Sequence, residues 1–292
     1  MRTYRTLAVT VLLFPLLTLL VEAQPSDLQC IPSSGTVSYS DYAINVGLAL
    51  WNAIPTTELL DQLHCEWGWG GGCWLDPEYT TKYDTWFSAG LDPHKQFVEV
   101  MRVNVDRPDH AAVMTCLNAA LQNHANYGFY GFYLNDYRSQ IVNYGRTRPQ
   151  WEEIVNTIRG ADPTLKIIIP WTHWTEIDPN IDEYLSWIEF DEVLCNYYVM
   201  HGEHELEDCD GFHIRAVAKF VDRPIWATAN IRGKDSAGNY YFTTETEYKH
   251  IVNVLENHYD AGDLDGIRVQ SLLNIIDHPE YATWTGEVLF GP

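Results

Sequence analysis

The sequence predicts a single (β/α)8 barrel over residues 24–292, and three observations carry that expectation. Short β-rich runs alternate with amphipathic stretches from residue 95 to the end. The β-rich runs are apolar on both faces, as a parallel sheet covered by helices requires. No run leads into the Gly-rich phosphate loop of a doubly wound open sheet, and no linker divides the chain.

Along the chain, residues 36–39 fit a first strand, residues 42–51 fit either helix or strand, and residues 65–69 give a second, poorly marked strand. Residues 97–105 read as the third strand. Residues 108–123 read as a helix with Ala111, Met114, Leu117 and Leu121 at helical spacing. Strands at 129–134, 165–171, 193–199, 225–230 and 266–271 alternate with helices at 149–159, 181–188, 212–221 and 245–259, before a terminal helix near Glu280. The helix at 149 has Pro in its first turn, and the one at 245 opens on a Thr/Glu capping signal. Counting both early strands gives eight, the number that closes a barrel.

Composition narrows the function. The chain has 292 residues and a formal net charge of −22, which repels phosphate backbones and anionic lipid and so argues against nucleic-acid and membrane roles. Eleven Trp and 18 Tyr are more than a core needs, and flat rings suit sugar faces. Arg2 and Arg5 precede an apolar run from residue 7 to 21 that ends in Val21-Glu22-Ala23, the layout of a secretory signal peptide over residues 1–23. The mature protein is therefore expected to be extracellular and to have disulfides among its six Cys. Cys65 with Cys73 and Cys195 with Cys209 each bracket a loop, leaving Cys30 with Cys116, although the sequence excludes no other pairing.

In a barrel the active face is built from the residues just beyond the strand C-terminal ends. The candidate carboxylates there are Asp136, Glu176 and Asp106, and the candidate sugar-contacting residues are Tyr133, Asn135, Tyr137, Trp171, Trp174, Tyr198 and Gln270. Glycoside hydrolysis uses such a set: two carboxyl groups around the bond, with rings under the sugars. His201-Gly202-Glu203-His204 has the spacing of a ligand pair but is explained by a solvated polar loop, so neither metal nor organic cofactor is expected.

Residues 127–137, Tyr-Gly-Phe-Tyr-Gly-Phe-Tyr-Leu-Asn-Asp-Tyr, resemble the family 18 glycoside hydrolase (chitinase-like) signature Y-G-F-D-G-I-D-I-D-W-E. Residues 191–202 are similar to that family's sixth-strand pattern D-x-I-x-x-M-x-Y-D-x-H-G, and residues 265–271 to its eighth-strand G-G-x-M-x-W-S. In this resemblance the catalytic Glu falls on Tyr137 and its acidic partners on Tyr130, Tyr133 and Asn135. The sixth-strand Asp falls on Val199 and the eighth-strand Trp on Gln270, so only Tyr198 carries over as a site residue. The standard chitinase mechanism is thus not expected. Asp136 sits one residue off the parity of the lost Glu, and a regular strand would aim it at the other face.

Two readings remain open. In one, the barrel is a glycosidase with other acids: Asn135-Asp136 echoes the Asn-Glu pair ending the fourth strand in another group of barrel glycosidases, and Glu176 lies past the neighbouring strand. That group's Glu after the seventh strand has no counterpart in residues 226–231. In the other, the barrel has lost catalysis and binds a neutral glycan as a lectin does. A hyaluronidase-like option rests on residues 128–132 alone, and the negative charge disfavours its polyanionic substrate.

Overall fold

The computed structural model describes residues 44–51, 53–70, 78–99, 109–202 and 205–291. The leader, the run at 36–39, Cys30, Cys73 and Asp106 lie outside the described residues. Seven parallel strands come first: β1 (Val46–Trp51), β2 (Cys65–Gly70), β3 (Gln96–Glu99), β4 (Gly131–Tyr133), β5 (Lys166–Thr172), β6 (Glu192–Asn196) and β7 (Ile225–Asn230). An antiparallel hairpin, β8 (Arg232–Lys234) and β9 (Tyr240–Phe242), precedes the eighth barrel strand, β10 (Gly266–Gln270). The barrel closes where β1 pairs with β10, Val46 opposite Ile267. The ambiguous stretch at 42–51 therefore supplies the first strand.

Helices α1 (Thr57–Leu63), α2 (Glu78–Ala89), α3 (His110–Tyr127), α4 (Tyr137–Val142), α5 (Arg148–Ala161), α6 (His173–Glu176), α7 (Ile181–Leu185), α8 (Asp208–Lys219), α9 (Glu245–Asp260), α10 (Leu272–Asp277) and α11 (Glu280–Leu289) fill the connections. None among the described residues is long and apolar enough to cross a membrane. The start of α9 shows why the chain turns helical where it does. Glu247 N–H donates to Thr244 Oγ1 at 3.3 Å, and Thr244 N–H donates to Glu247 Oε2 at 2.7 Å. This reciprocal box satisfies two donors that the first turn would leave orphaned.

Strand parity divides the core in two. Outward residues such as Ile167, Ile169, Val193, Ala227 and Val269 join the layer under the helices. Inward residues Trp69, Phe97, Tyr133, Ile168, Leu194 and Trp226 fill the barrel. Two indoles fit because glycine faces them: a Cβ at Gly47 would lie 2.0 Å from Trp69 Cζ3, and one at Gly266 would lie 2.2 Å from Trp226 Cζ3. Beneath them the buried Glu192 accepts hydrogen bonds from Tyr130 Oη at 2.7 Å and Trp226 Nε1 at 3.2 Å. Burial pushes this carboxyl above its ordinary range, against the pull of those two donors.

The cysteines correct the sequence reading. Cys65, Cys195 and Cys209 are buried free thiols, so neither Cys65–Cys73 nor Cys195–Cys209 forms. Bracketing a loop in sequence does not bring two Cβ atoms to bonding geometry. Cys195 faces outward from β6 and Cys209 lies in α8, where both serve as small apolar filler in the layer under the helices. Cys116 is disulfide-bonded, and its other half lies outside the described residues.

Candidate functional site

A cavity of about 710 Å³ opens at the C-terminal ends of the strands. Its floor is the upper two inward layers of the barrel. Parity puts Glu99, Tyr133, Asn196, Asn230, Arg268 and Gln270 there, and all six line the cavity. Thr228 Oγ1 donates to Asn196 Oδ1, as does Arg268 Nη2 at 3.0 Å. Arg268 Nη2 also donates to Gln270 Oε1 at 2.8 Å, and Gln270 in turn hydrogen-bonds the Tyr198 hydroxyl. These bonds cross-link β6, β7 and β10 and fix the amides before any ligand arrives. Burial raises the Tyr133 and Tyr198 phenols, with Arg268 pulling both the other way, so they remain neutral donors at physiological pH.

The acids come from β3 and the turn after β4. Glu99 ends β3, is 6% exposed, and accepts a 2.6 Å hydrogen bond from Asn135 Nδ2. Asp136 stands in the left-handed region at φ 53°, where an Asp is tolerated better than most residues. It is the N-cap residue of α4 but makes no side-chain cap hydrogen bond, and it lines the cavity. The parity expected for Asp136 therefore does not hold. β4 is described only to Tyr133, and the left-handed turn brings the residue back to the cavity. Asn135 stabilises that turn by accepting from Asp136 N–H at 2.9 Å.

The other candidates divide. Tyr133, Asn135, Trp174, Tyr198 and Gln270 line the same cavity as Asp136, with Trp174 and Tyr198 forming an aromatic wall at 6.0 Å between centroids. Trp171 does not join them. It lies between Pro170 and Thr172, which line the cavity, so its own ring faces the helices and meets Phe220 edge-on at 5.0 Å. Glu176 closes α6 away from the cavity and forms a bidentate pair with Arg215 of α8, at 2.6 and 3.0 Å. Tyr137 borders the cavity but is fully buried in the helix-facing core. His201 stacks on Tyr241 and pairs with Glu205 and Glu247.

Sequence reasoning missed Glu99, Arg268, Asn196 and the hairpin residues Lys234 and Tyr240, all of which line the cavity, whereas Asn230 and Arg232 were legible as residues just beyond the seventh strand. Parity could have found Arg268, which is two residues from the chosen Gln270 and so on the same face.

No protein-family model matches the chain, and no curated protein does. Solved structures are similar in fold. An endo-β-1,3-glucanase variant of glycoside hydrolase family 128 from Amycolatopsis mediterranei, in complex with laminarihexaose, superposes with a TM-score of 0.53 at 13% identity, covering 78% of this chain and 89% of that one. A thermostable mutant of the xylanase Xyn10A from Cellvibrio japonicus gives 0.51 at 12% identity, over 80% and 88%. The ChiA C-terminal domain of Legionella pneumophila gives 0.51 at 10%, over 84% and 98%. At these identities the likeness is one of fold.

Proposed function

We propose that this chain is a secreted, glycoside-hydrolase-like protein that cleaves a neutral or weakly charged oligosaccharide at the C-terminal face of its barrel. The observation that carries the reading is the convergence of Glu99 and Asp136, from the ends of adjacent strands, on one cavity walled by Trp174 and Tyr198. Hydrolysis of a glycosidic bond needs one carboxyl group to protonate the leaving oxygen and a second to attack the anomeric carbon or activate water. In this reading Asp136, exposed at the opening, is the proton donor and regains its proton from solvent. Glu99, held by Asn135, is the nucleophile or base. Trp174 and Tyr198 stack on sugar rings, while Asn196, Asn230 and Gln270 meet hydroxyls. The glucanase and xylanase among the fold neighbours support this reading by analogy, as do residues 127–137 and 191–202 with their family 18 pattern. The N-terminal charged and apolar run supports secretion.

The test is reducing-sugar release from β-glucans, xylan, chitin and mannan. Asp136→Asn and Glu99→Gln should each lower turnover by a factor on the order of 10² to 10⁴ on the substrate found. The second reading, a sugar-binding barrel without catalysis, is favoured by the Tyr137 that stands where the resembled family has its Glu. Binding to the panel without release would select it. Neither binding nor release would defeat both readings.

A further inference from the structure

The cavity floor carries a charge that two-carboxyl chemistry does not use. Arg268 is 5% exposed, and both hydrogen bonds it donates come from Nη2 and end on neutral amide oxygens of Asn196 and Gln270. Its Nε is buried with no partner, and the guanidinium forms no ion pair with any described residue. The nearest ring is Tyr133, 5.6 Å from Cζ. A guanidinium taken out of water without a counter-charge is unfavourable, and a fold that keeps one at a ligand cavity leaves that charge for the ligand to match.

Two further cations overhang the floor. Arg232 and Lys234 both belong to β8 and line the cavity; Lys234 Nζ lies 4.8 Å from the Tyr240 ring, and Arg232 Cζ lies 5.0 Å from the Phe242 ring. Arg138 also lines it, but Asp178 matches its charge at 2.6 Å. Among the described lining residues, three cations without a carboxylate partner thus face two acids, Glu99 and Asp136, in a chain whose net charge is −22. The local balance is the reverse of the global one. Within a screening length of about 8 Å the local charges decide what the cavity prefers.

We propose that the cavity recognises a saccharide unit bearing a carboxylate, a hexuronic acid within an otherwise neutral glycan, with its carboxylate accepting from Nη1 of Arg268. A neutral hydroxyl would satisfy the donors but leave the charge unmatched. With Nη2 committed to Asn196 and Gln270 and Nε fully buried, Nη1 is the donor that remains, and a charge-assisted hydrogen bond from it to a carboxylate oxygen matches the charge. Arg232 and Lys234 guide the unit inward from the hairpin. The proposal rests on the glycan-cleaving reading and specifies its substrate.

The experiment is calorimetric titration of the full chain with matched oligosaccharides on xylan, glucan and mannan backbones. Each carries a glucuronic acid unit, the same unit reduced to its alcohol, or a sulfate in its place. The uronate form should bind tighter than its reduced counterpart by a factor on the order of 10 to 10². Arg268→Gln should bring that ratio close to one, with circular dichroism showing whether the variant is folded. Should it not fold, Arg232→Gln with Lys234→Gln on the exposed hairpin should still lower the ratio and flatten its salt dependence. Equal binding of uronate and alcohol would overturn the proposal while leaving the glycan-cleaving reading in place. A preference for sulfate would overturn the carboxylate. No binding of any form would remove both.

Discussion

At the scale of single residues, side-chain direction decides membership of the site. Glu99 and Asp136 share the cavity, whereas Glu176 is committed to Arg215 on the helix side. Glu176→Gln should therefore keep turnover within about twofold on the substrate whose cleavage Glu99→Gln slows, and cost stability only on the scale of a partly exposed ion pair, about 1 kcal/mol or less. Parallel rate and urea-denaturation measurements separate the two effects. The thiols give a second residue-level expectation. Burial pushes Cys209 up to about 12 and raises Cys65 and Cys195 as well, so none offers a thiolate at neutral pH. Iodoacetamide followed by mass mapping should label these three only after unfolding; labelling in the native state would show that the layer over them opens. The sequence contained the acids but not their directions. Trp171 looked like a strand-end residue because the apolar run stops there, yet the strand continues to Thr172, and parity turns the ring outward. Asp136 looked misdirected because parity was extended beyond β4 into a left-handed turn that local sequence does not announce.

At the scale of elements, α8 carries a titratable group in the core. His213 is fully buried, its Nδ1 donates to the Cys209 carbonyl at 3.1 Å, and its Nε2 has no partner. Burial, helped by the nearby His258 and Arg215, lowers its pKa from 6.5 to about 3. The unfolded chain thus binds a proton below 6.5 that the native state refuses until about 3. Stability is present in full above that window and falls as pH drops through it, by up to about 1.4 kcal/mol per pH unit from this group. His213→Gln should flatten the slope of urea midpoint against pH between those limits; an unchanged slope would place the acid sensitivity elsewhere. On α9, Thr244→Ala removes the reciprocal cap and should cost about 1 kcal/mol, read from the same denaturation curves. Long elements were legible: α3 from its apolar spacing, α5 from its first-turn Pro and α9 from its Thr/Glu cap. The β8–β9 hairpin was not, since strands of three residues fall below any pattern. Its turn residues Asp235, Gly238 and Asn239 were the available signal: Asp235 accepts from the backbone N–H of Ala237 and Asn239.

At the scale of the whole molecule, the barrel was legible because alternation repeats along the chain and errors at one strand are corrected by the next. Its closure rests on features invisible to that pattern. Gly47 and Gly266 leave slots for Trp69 and Trp226 inside a ring that cannot widen without breaking strand pairs. Gly47→Ala and Gly266→Ala should each destabilise by about 1–3 kcal/mol or more through overpacking, measured by urea unfolding. A change smaller than a few tenths would mean that the barrel yields more easily than its packing implies.

The opposition between an acidic body and a cationic cavity also has a kinetic reading. An anionic ligand approaching from bulk meets the field of the whole chain, net −22, and only near the mouth does it enter that of Arg232, Lys234 and Arg268. Added salt screens the long-range repulsion first, which speeds arrival, and weakens the short-range attraction later, which speeds departure. Residence time and encounter rate are then tuned by different charges, so a surface substitution far from the barrel mouth changes how often a ligand is captured without changing how long it is kept.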